Sequence, residues 1–265
     1  MVYSMKANWR TTLIKGIFTY LMLLNFANAG ENNQHDLNKK SMSPSNKLIV
    51  VTESWFPYNY VNSKGEISGS STEIVTSILK HANITYEIDL YPWQRSYSIA
   101  MAKDNVLIYS IYRSPAREKY FHWICPLQSS PIHAVYKLAS RKNLRIKKES
   151  DLKKYSFSVT RGTFFHKLFV GKGMEEGVNL FLTSSNKSSL QMLLNDRVDL
   201  LIETEESMLQ MLAKQKLLSD TVEKVYTIKP EDQADLCMAI SKGTSRNIID
   251  KINSSHQILY PNTKH

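Results

Sequence analysis

Little in this sequence offers itself for catalysis. Among 265 residues there are 2 cysteines, 9 glycines and 8 prolines, which excludes a disulfide scaffold, a collagen-like repeat and a low-complexity chain. No G-x-S-x-G, no H-E-x-x-H and no glycine-rich phosphate loop occurs, and the 7 histidines are scattered without ligand spacing. Hydrolase, zinc-protease and nucleotide chemistry therefore lack their usual residues, and neither a metal nor a cofactor is expected. The apolar run from Gly16 to Phe26 has 11 residues, well short of the ~20 that span a bilayer. An exporting compartment would let Cys125 and Cys237 pair. Both sit in apolar, strand-like phrases, W-I-C-P-L and D-L-C-M-A-I, and read more simply as two separate buried thiols.

What is present begins with a leader. Lys6, Arg10 and Lys15 precede the apolar run, and Ala27-Asn28-Ala29 follows it. That is the order of a secretory signal peptide, so residues 1–29 are expected to be removed after Ala29, leaving an exported, periplasmic protein. The formal charge of +10 falls to +7, because residues 1–29 hold three cations and no acid. Basic residues are scattered apart from Arg141, Lys142, Arg145, Lys147 and Lys148, a group that reads as a solvated loop. With no interleaved aromatic and basic pattern, a nucleic-acid partner is not expected.

Residues 30–46 are polar and read as a lead-in outside the fold. From Lys47 the pattern alternates. Leu48 to Thr52 is an apolar run suited to a strand covered on both faces, and Ser70 with Glu73 offers a capping box for a helix carrying Ile74, Val75, Ile78 and Leu79. Strand-like stretches at 85–90 and 106–111 flank a helical one at 94–103. A second unit follows, with strands at 155–160, 178–182 and 199–202 and helices at 164–170, 188–195 and 206–214. A strand at 236–240 and a helix at 244–259 close the chain. Such alternation implies parallel crossovers and an α/β fold.

The phrase richest in chemistry is Ser110 to Pro126, where an apolar run ends in Arg113 and Arg117. Guanidinium groups keep their charge at any working pH and present a planar fork that matches a carboxylate. Two of them beyond a strand end read as an anion clamp.

The order of elements, with Trp55-Phe-Pro-Tyr58, Gly69 to Glu73 and Ser114-Pro-Ala-Arg117-Glu-Lys-Tyr-Phe-His-Trp123, resembles extracellular solute-binding protein family 3, the amino-acid-type periplasmic binding proteins of ABC importers. The resemblance covers roughly residues 47–260. It implies a type II periplasmic-binding-protein fold with two lobes, 47–135 plus 232–265 and 136–231, joined by two hinge strands around a ligand cleft. It implies a monomer that binds a small molecule and docks transiently on a membrane ABC permease.

For the site, the resemblance assigns Arg117 to the ligand carboxylate and Trp55 and Trp93 to the ligand's apolar body. Ser110 and Tyr112 match positions that meet the ligand through a carbonyl and a hydroxyl, while Arg113 reads as a second ligand charge or a structural ion pair. Arg161-Gly162-Thr163 matches a loop whose N–H groups and hydroxyl meet the carboxylate at a helix start. Thr204 stands where amino-acid binders carry the Asp that accepts an ammonium. Glu203, which ends an apolar strand, or Glu205 would replace it. Two alternatives keep the scaffold: a cyclic-acid dehydratase-like enzyme with Glu203 facing Arg117 for proton transfer, and a ligand-sensing module for a separate membrane receptor.

Overall fold

Most of the apolar runs become parallel strands, and the crossovers between them place helices on both faces of the first sheet. The computed structural model describes residues 47–228 and 234–261. The expected leader and polar lead-in lie outside the described residues. β1 (Leu48–Thr52), β2 (Tyr60–Val61), β3 (Ile67–Ser68), α1 (Ser70–His81), β4 (Tyr86–Leu90), α2 (Trp93–Ala102), β5 (Val106–Tyr112), α3 (Pro115–Glu118) and β6 (Phe121–Gln128) form most of the first lobe. The second contains β7 (His133–Leu138), β8 (Phe157–Thr160), α4 (Phe164–Gly171), β9 (Leu180–Thr183), α5 (Asn186–Leu194), β10 (Leu200–Thr204), α6 (Glu205–Lys214) and β11 (Val222–Thr227). The chain then returns to the first lobe with β12 (Leu236–Ser241) and α7 (Arg246–Leu259).

The first sheet runs β4-β1-β5-β12-β6 and the second β11-β7-β10-β8-β9. Each has three adjacent parallel strands, β4-β1-β5 and β10-β8-β9, extended by antiparallel partners. Every residue of β5, β10 and β12 is buried, as continuous rather than alternating apolar runs require. Val75, Ile78 and Leu79 of α1 pack with Ile249 and Ile252 of α7 over one face of the first sheet, while Trp93 and Ala100 of α2 pack over the other. Burying each such Leu or Ile contributes roughly 1.5–3 kcal/mol.

Three local expectations are corrected. The N-cap of α1 is Gly69 and not Ser70, so the capping box does not form. Gly69 stands at φ 120°, and a Cβ there would lie 2.5 Å from the Tyr58 carbonyl oxygen, which only glycine avoids. Cys125 and Cys237 are joined by a disulfide with their Cα atoms 4.7 Å apart, because β12 inserts beside β6 and brings together strands 112 residues apart in sequence. The basic loop is partly anchored: Arg141 bridges Asp199 at 2.5 Å and Asp196 at 3.0 Å. Strands β6, β7 and β11 have no counterpart among the expected elements. Among the described residues no helix is long and apolar enough to cross a membrane.

Candidate functional site

In open parallel sheets the groups beyond the carboxyl ends of strands are free to meet a ligand. All the parallel strands aim such ends at one cleft. After β1 come Glu53 and Trp55, after β4 comes Trp93, and at the end of β5 stand Ser110 and Tyr112. From the second lobe Thr160 and Thr163 follow β8, Asn186 follows β9, and Glu203 lies near the end of β10. Together with Arg117, His133, Phe164 and Phe165 these residues line a cavity of about 60 Å³, room for only a handful of waters.

The first-lobe wall is rigidly held. Trp55 and Asn59 exchange backbone hydrogen bonds of 2.6 and 2.9 Å across a tight turn. The fully buried Asn59 donates its side-chain amide to the Glu53 carbonyl at 2.5 Å and accepts from the Ser110 hydroxyl at 2.5 Å. One carboxamide thus ties the end of β1 to the end of β5. Ser110 sits at φ 56°, an uncommon conformation for a non-glycine inside a strand and of the kind that clusters at functional sites. The ladder to β12 shifts register there, between Cys237 and Met238.

Among the described residues, three first-lobe side chains hydrogen-bond across the cleft. Arg117 is 6% exposed; it donates to the Tyr112 carbonyl at 2.9 Å and across the cleft to the Gly162 carbonyl at 3.0 Å. Its guanidinium lies 5.0 Å from the Trp93 ring and 5.3 Å from the Tyr97 ring. Gln94 donates to the Arg161 carbonyl at 2.8 Å. Trp55 donates its indole N–H to Glu203 at 3.2 Å, and both Trp55 and Tyr112 belong to the apolar cluster of the second lobe.

Glu203, 1% exposed, also accepts from the Thr204 N–H at 2.8 Å and from the Asn186 amide at 2.6 Å. Burial raises its carboxyl to about 7, although those donors pull the other way. Glu53 keeps some surface toward the cavity, but the walls withdraw its carboxyl from bulk water. Burial first, and then the charge of Glu203, push it up to about 8, with Arg117 opposing. Burial likewise lifts the Tyr112 phenol well above its ordinary value, helped by Tyr58, Glu203 and Glu53.

Of the residues singled out in the sequence, the cavity brings together Trp55, Trp93, Ser110, Tyr112, Arg117, Thr163 and Glu203. Arg113 is not among them. It is exposed and forks onto Glu118 at 2.8 and 2.7 Å, the structural ion pair that was one of its two readings. Arg161 faces an adjoining groove beside Glu176. Thr204 is fully buried and caps α6 by accepting from the Ser207 N–H, while Glu205 is exposed and pairs with Lys224.

The loop expected to offer N–H groups is internally engaged: Gly162 donates to His166 Nδ1 at 3.0 Å, and the Thr163 hydroxyl donates to the Thr160 carbonyl at 2.8 Å. Glu53, His133, Thr160 and Asn186 were missed by sequence reasoning. A signal existed for Glu53, since like Glu203 it is an acid that closes an apolar strand.

The family model for bacterial extracellular solute-binding proteins, family 3, matches residues 48–255. No curated protein matches the chain. Among solved structures, a histidine kinase sensor domain with similarity to periplasmic binding proteins shares 19% identity at TM-score 0.67, covering 81% of this chain and 90% of that one. An ancestral arginine-binding protein bound to arginine shares 18% at TM-score 0.68, with coverages of 82% and 93%. The arginine-, lysine-, histidine-binding protein ArtJ from Geobacillus stearothermophilus shares 16% at TM-score 0.67, with coverages of 81% and 90%. At these identities the likeness shows the fold, the two-lobed periplasmic-binding-protein architecture.

Proposed function

The chain belongs to the bacterial extracellular solute-binding proteins, family 3, and from that premise we propose that it captures a small, amino-acid-like solute by closing its lobes. The observation that carries this reading is the cavity between the lobes, walled by the carboxyl ends of strands from both sheets. Arg117 retains N–H groups beyond the two it gives to carbonyls, enough to meet a solute carboxylate. Trp93, Trp55 and Tyr112 would pack the solute body. The small cavity volume means that a solute enters only when the lobes part, as in hinge closure.

The reading extends to export behind a leader cleaved after Ala29, to a monomer in the periplasm, and to transient docking on a membrane ABC permease. Similarity to arginine-binding and arginine-, lysine-, histidine-binding proteins supports an amino-acid-like solute. A second reading, a sensory module for a separate receptor, is favoured by the similarity to a histidine kinase sensor domain.

A melting-temperature screen of amino acids, amines and dicarboxylates tests capture itself. A solute at 100 times its Kd should stabilise the protein by about 2.7 kcal/mol. If no class of small solute raises the melting temperature or compacts the protein in small-angle scattering, capture is ruled out.

A further inference from the structure

Gln94 and Arg117 of the first lobe both donate to carbonyls of the loop that follows β8, at Arg161 and Gly162. The aim of the first of those carbonyls is set from behind. A trans peptide is planar, with its C=O and N–H pointing opposite ways. The Arg161 carbonyl and the Gly162 N–H share one such plane. On one side the carbonyl accepts from Gln94 at 2.8 Å, and on the other the N–H donates to His166 Nδ1 at 3.0 Å. Holding that N–H therefore holds the carbonyl that meets the first lobe.

His166 is suited to that hold. It is buried in the first turn of α4, whose N-cap, Thr163, accepts from the His166 N–H. A backbone N–H can only donate, so Nδ1 must be bare to accept from Gly162. The proton of the neutral ring then sits on Nε2, which meets Glu176 at 2.9 Å. An ionised carboxylate can only accept, so Glu176 fixes that tautomer. The contacts run in series from Glu176 through His166 and the Arg161–Gly162 peptide to Gln94. The other titratable and charged groups of the groove beside the ring come from both lobes: Tyr97 of α2, Arg117 of α3, Arg161 before α4 and Lys167 on α4 itself. Arg161 lies 3.9 Å from Glu176.

We infer that His166 is a positioning residue of the lobe contact, and that a proton taken up from solvent on Nδ1 releases that contact. The inference rests on lobe closing as the capture step and adds a control over it. An imidazolium carries N–H groups on both nitrogens, so Nδ1 would face the Gly162 N–H donor to donor. The peptide turns over to offer Nδ1 its carbonyl instead, which takes the Arg161 oxygen away from Gln94. Gly162, at φ 73°, allows that rotation because it has no Cβ to obstruct it. Closing is therefore strongest with the ring neutral. It weakens as falling pH protonates the ring, in the range where histidines change charge.

The test uses the full mature chain without solute, spin-labelled at Lys80→Cys in α1 and Lys187→Cys in α5, both exposed positions. The interlobe distance is read at about pH 8 and about pH 5.5, on either side of the histidine range. With His166 in place the lobes should part at the lower pH. His166→Asn sets a neutral carbonyl near the place of Nδ1, and at least half of that movement should disappear. The raised carboxyls of Glu53 and Glu203 titrate in both proteins, so only the difference between the two counts. Lobes that do not move with His166 in place, or that move equally in His166→Asn, overturn the inference. Nitrogen NMR of the unsubstituted protein decides the matter should His166→Asn fail to fold. At about pH 8 the His166 ring should carry its proton on Nε2, and the Gly162 amide shift should follow the ring's titration with the same midpoint. A proton on Nδ1 at that pH, or a Gly162 amide that ignores the ring, overturns the inference as well. Capture itself stands or falls separately, on the solute screen.

Discussion

The two ends of the cleft are built alike and finished differently. At one end Arg117 and Gln94 join the lobes through hydrogen bonds to the carbonyls of the Arg161–Gly162 loop. At the other, the Glu53 and Glu203 carboxyls face the cavity and the Tyr112 hydroxyl is buried with no hydrogen-bond partner among the described residues. Satisfied groups fix a geometry, whereas unsatisfied ones reserve a place for something absent. The contrast teaches that one small cavity holds both groups already tied across the cleft and groups still without a hydrogen-bond partner among the described residues.

Removing Arg117 should break that contrast most severely. Arg117→Ala leaves two carbonyls without their charged donor and removes the group lying against the Trp93 and Tyr97 rings, an expected loss of about 3 kcal/mol. Chemical denaturation measures it, and a loss below about 1 kcal/mol would show that the satisfied end does not hold the lobes. Gly162→Ala comes next, at roughly 1–2 kcal/mol. Gly162 stands at φ 73°, and a Cβ would lie 1.8 Å from Gln94 Nε2, displacing the bond to the Arg161 carbonyl. Its specific signature is a more open lobe arrangement in small-angle scattering without solute.

The unsatisfied end should announce itself through pH. Folding raises the Glu53 and Glu203 carboxyls to about 8 and about 7, so between pH 4.5 and 8 the folded state binds more protons than the unfolded one. Stability of the solute-free protein is therefore full below about pH 4.5 as far as these groups are concerned, and falls as pH rises through 7 and 8. Glu53→Gln should flatten that decline in a series of melting curves, and an unchanged slope would count against two buried acids. The smallest effect belongs to Arg113→Ala, which removes an exposed pair with Glu118 and should cost under about 1 kcal/mol, with no change in solute affinity.

Much of this arrangement is legible in the chain. The central parallel strands β1 and β5 are continuous apolar runs, and residues at or just beyond strand ends, Trp55, Trp93, Tyr112 and Glu203, reach the cavity for that topological reason. What escaped depends on non-sequential neighbours. β6 reads F-H-W-I-C-P-L-Q with mixed polarity because its partner is β12, which arrives more than a hundred residues later, and the cysteine pairing is hidden for the same cause. Arg113 and Arg117 look equivalent at a spacing of four, yet one meets Glu118 in solvent and the other is walled in by rings. Only tertiary packing separates them. Asn59 carries no sequence signal for its task, since its two side-chain bonds reach residues that are distant from each other in the chain.

The insertion of β12 between β5 and β6 has a bearing on time as well as on shape. Until residues 236–241 are delivered, β5 and β6 each expose a bare edge where β12 will lie, the kind of edge that recruits stray strands. The whole second lobe must pass through the chain before that gap can be filled, and contacts so far apart in sequence form slowly. The first lobe is begun first and finished last. A chain cut short before β12 would keep every residue of the first-lobe cavity wall and still lack the strand that pairs with Tyr109, Ile111 and Tyr112 on either side of Ser110.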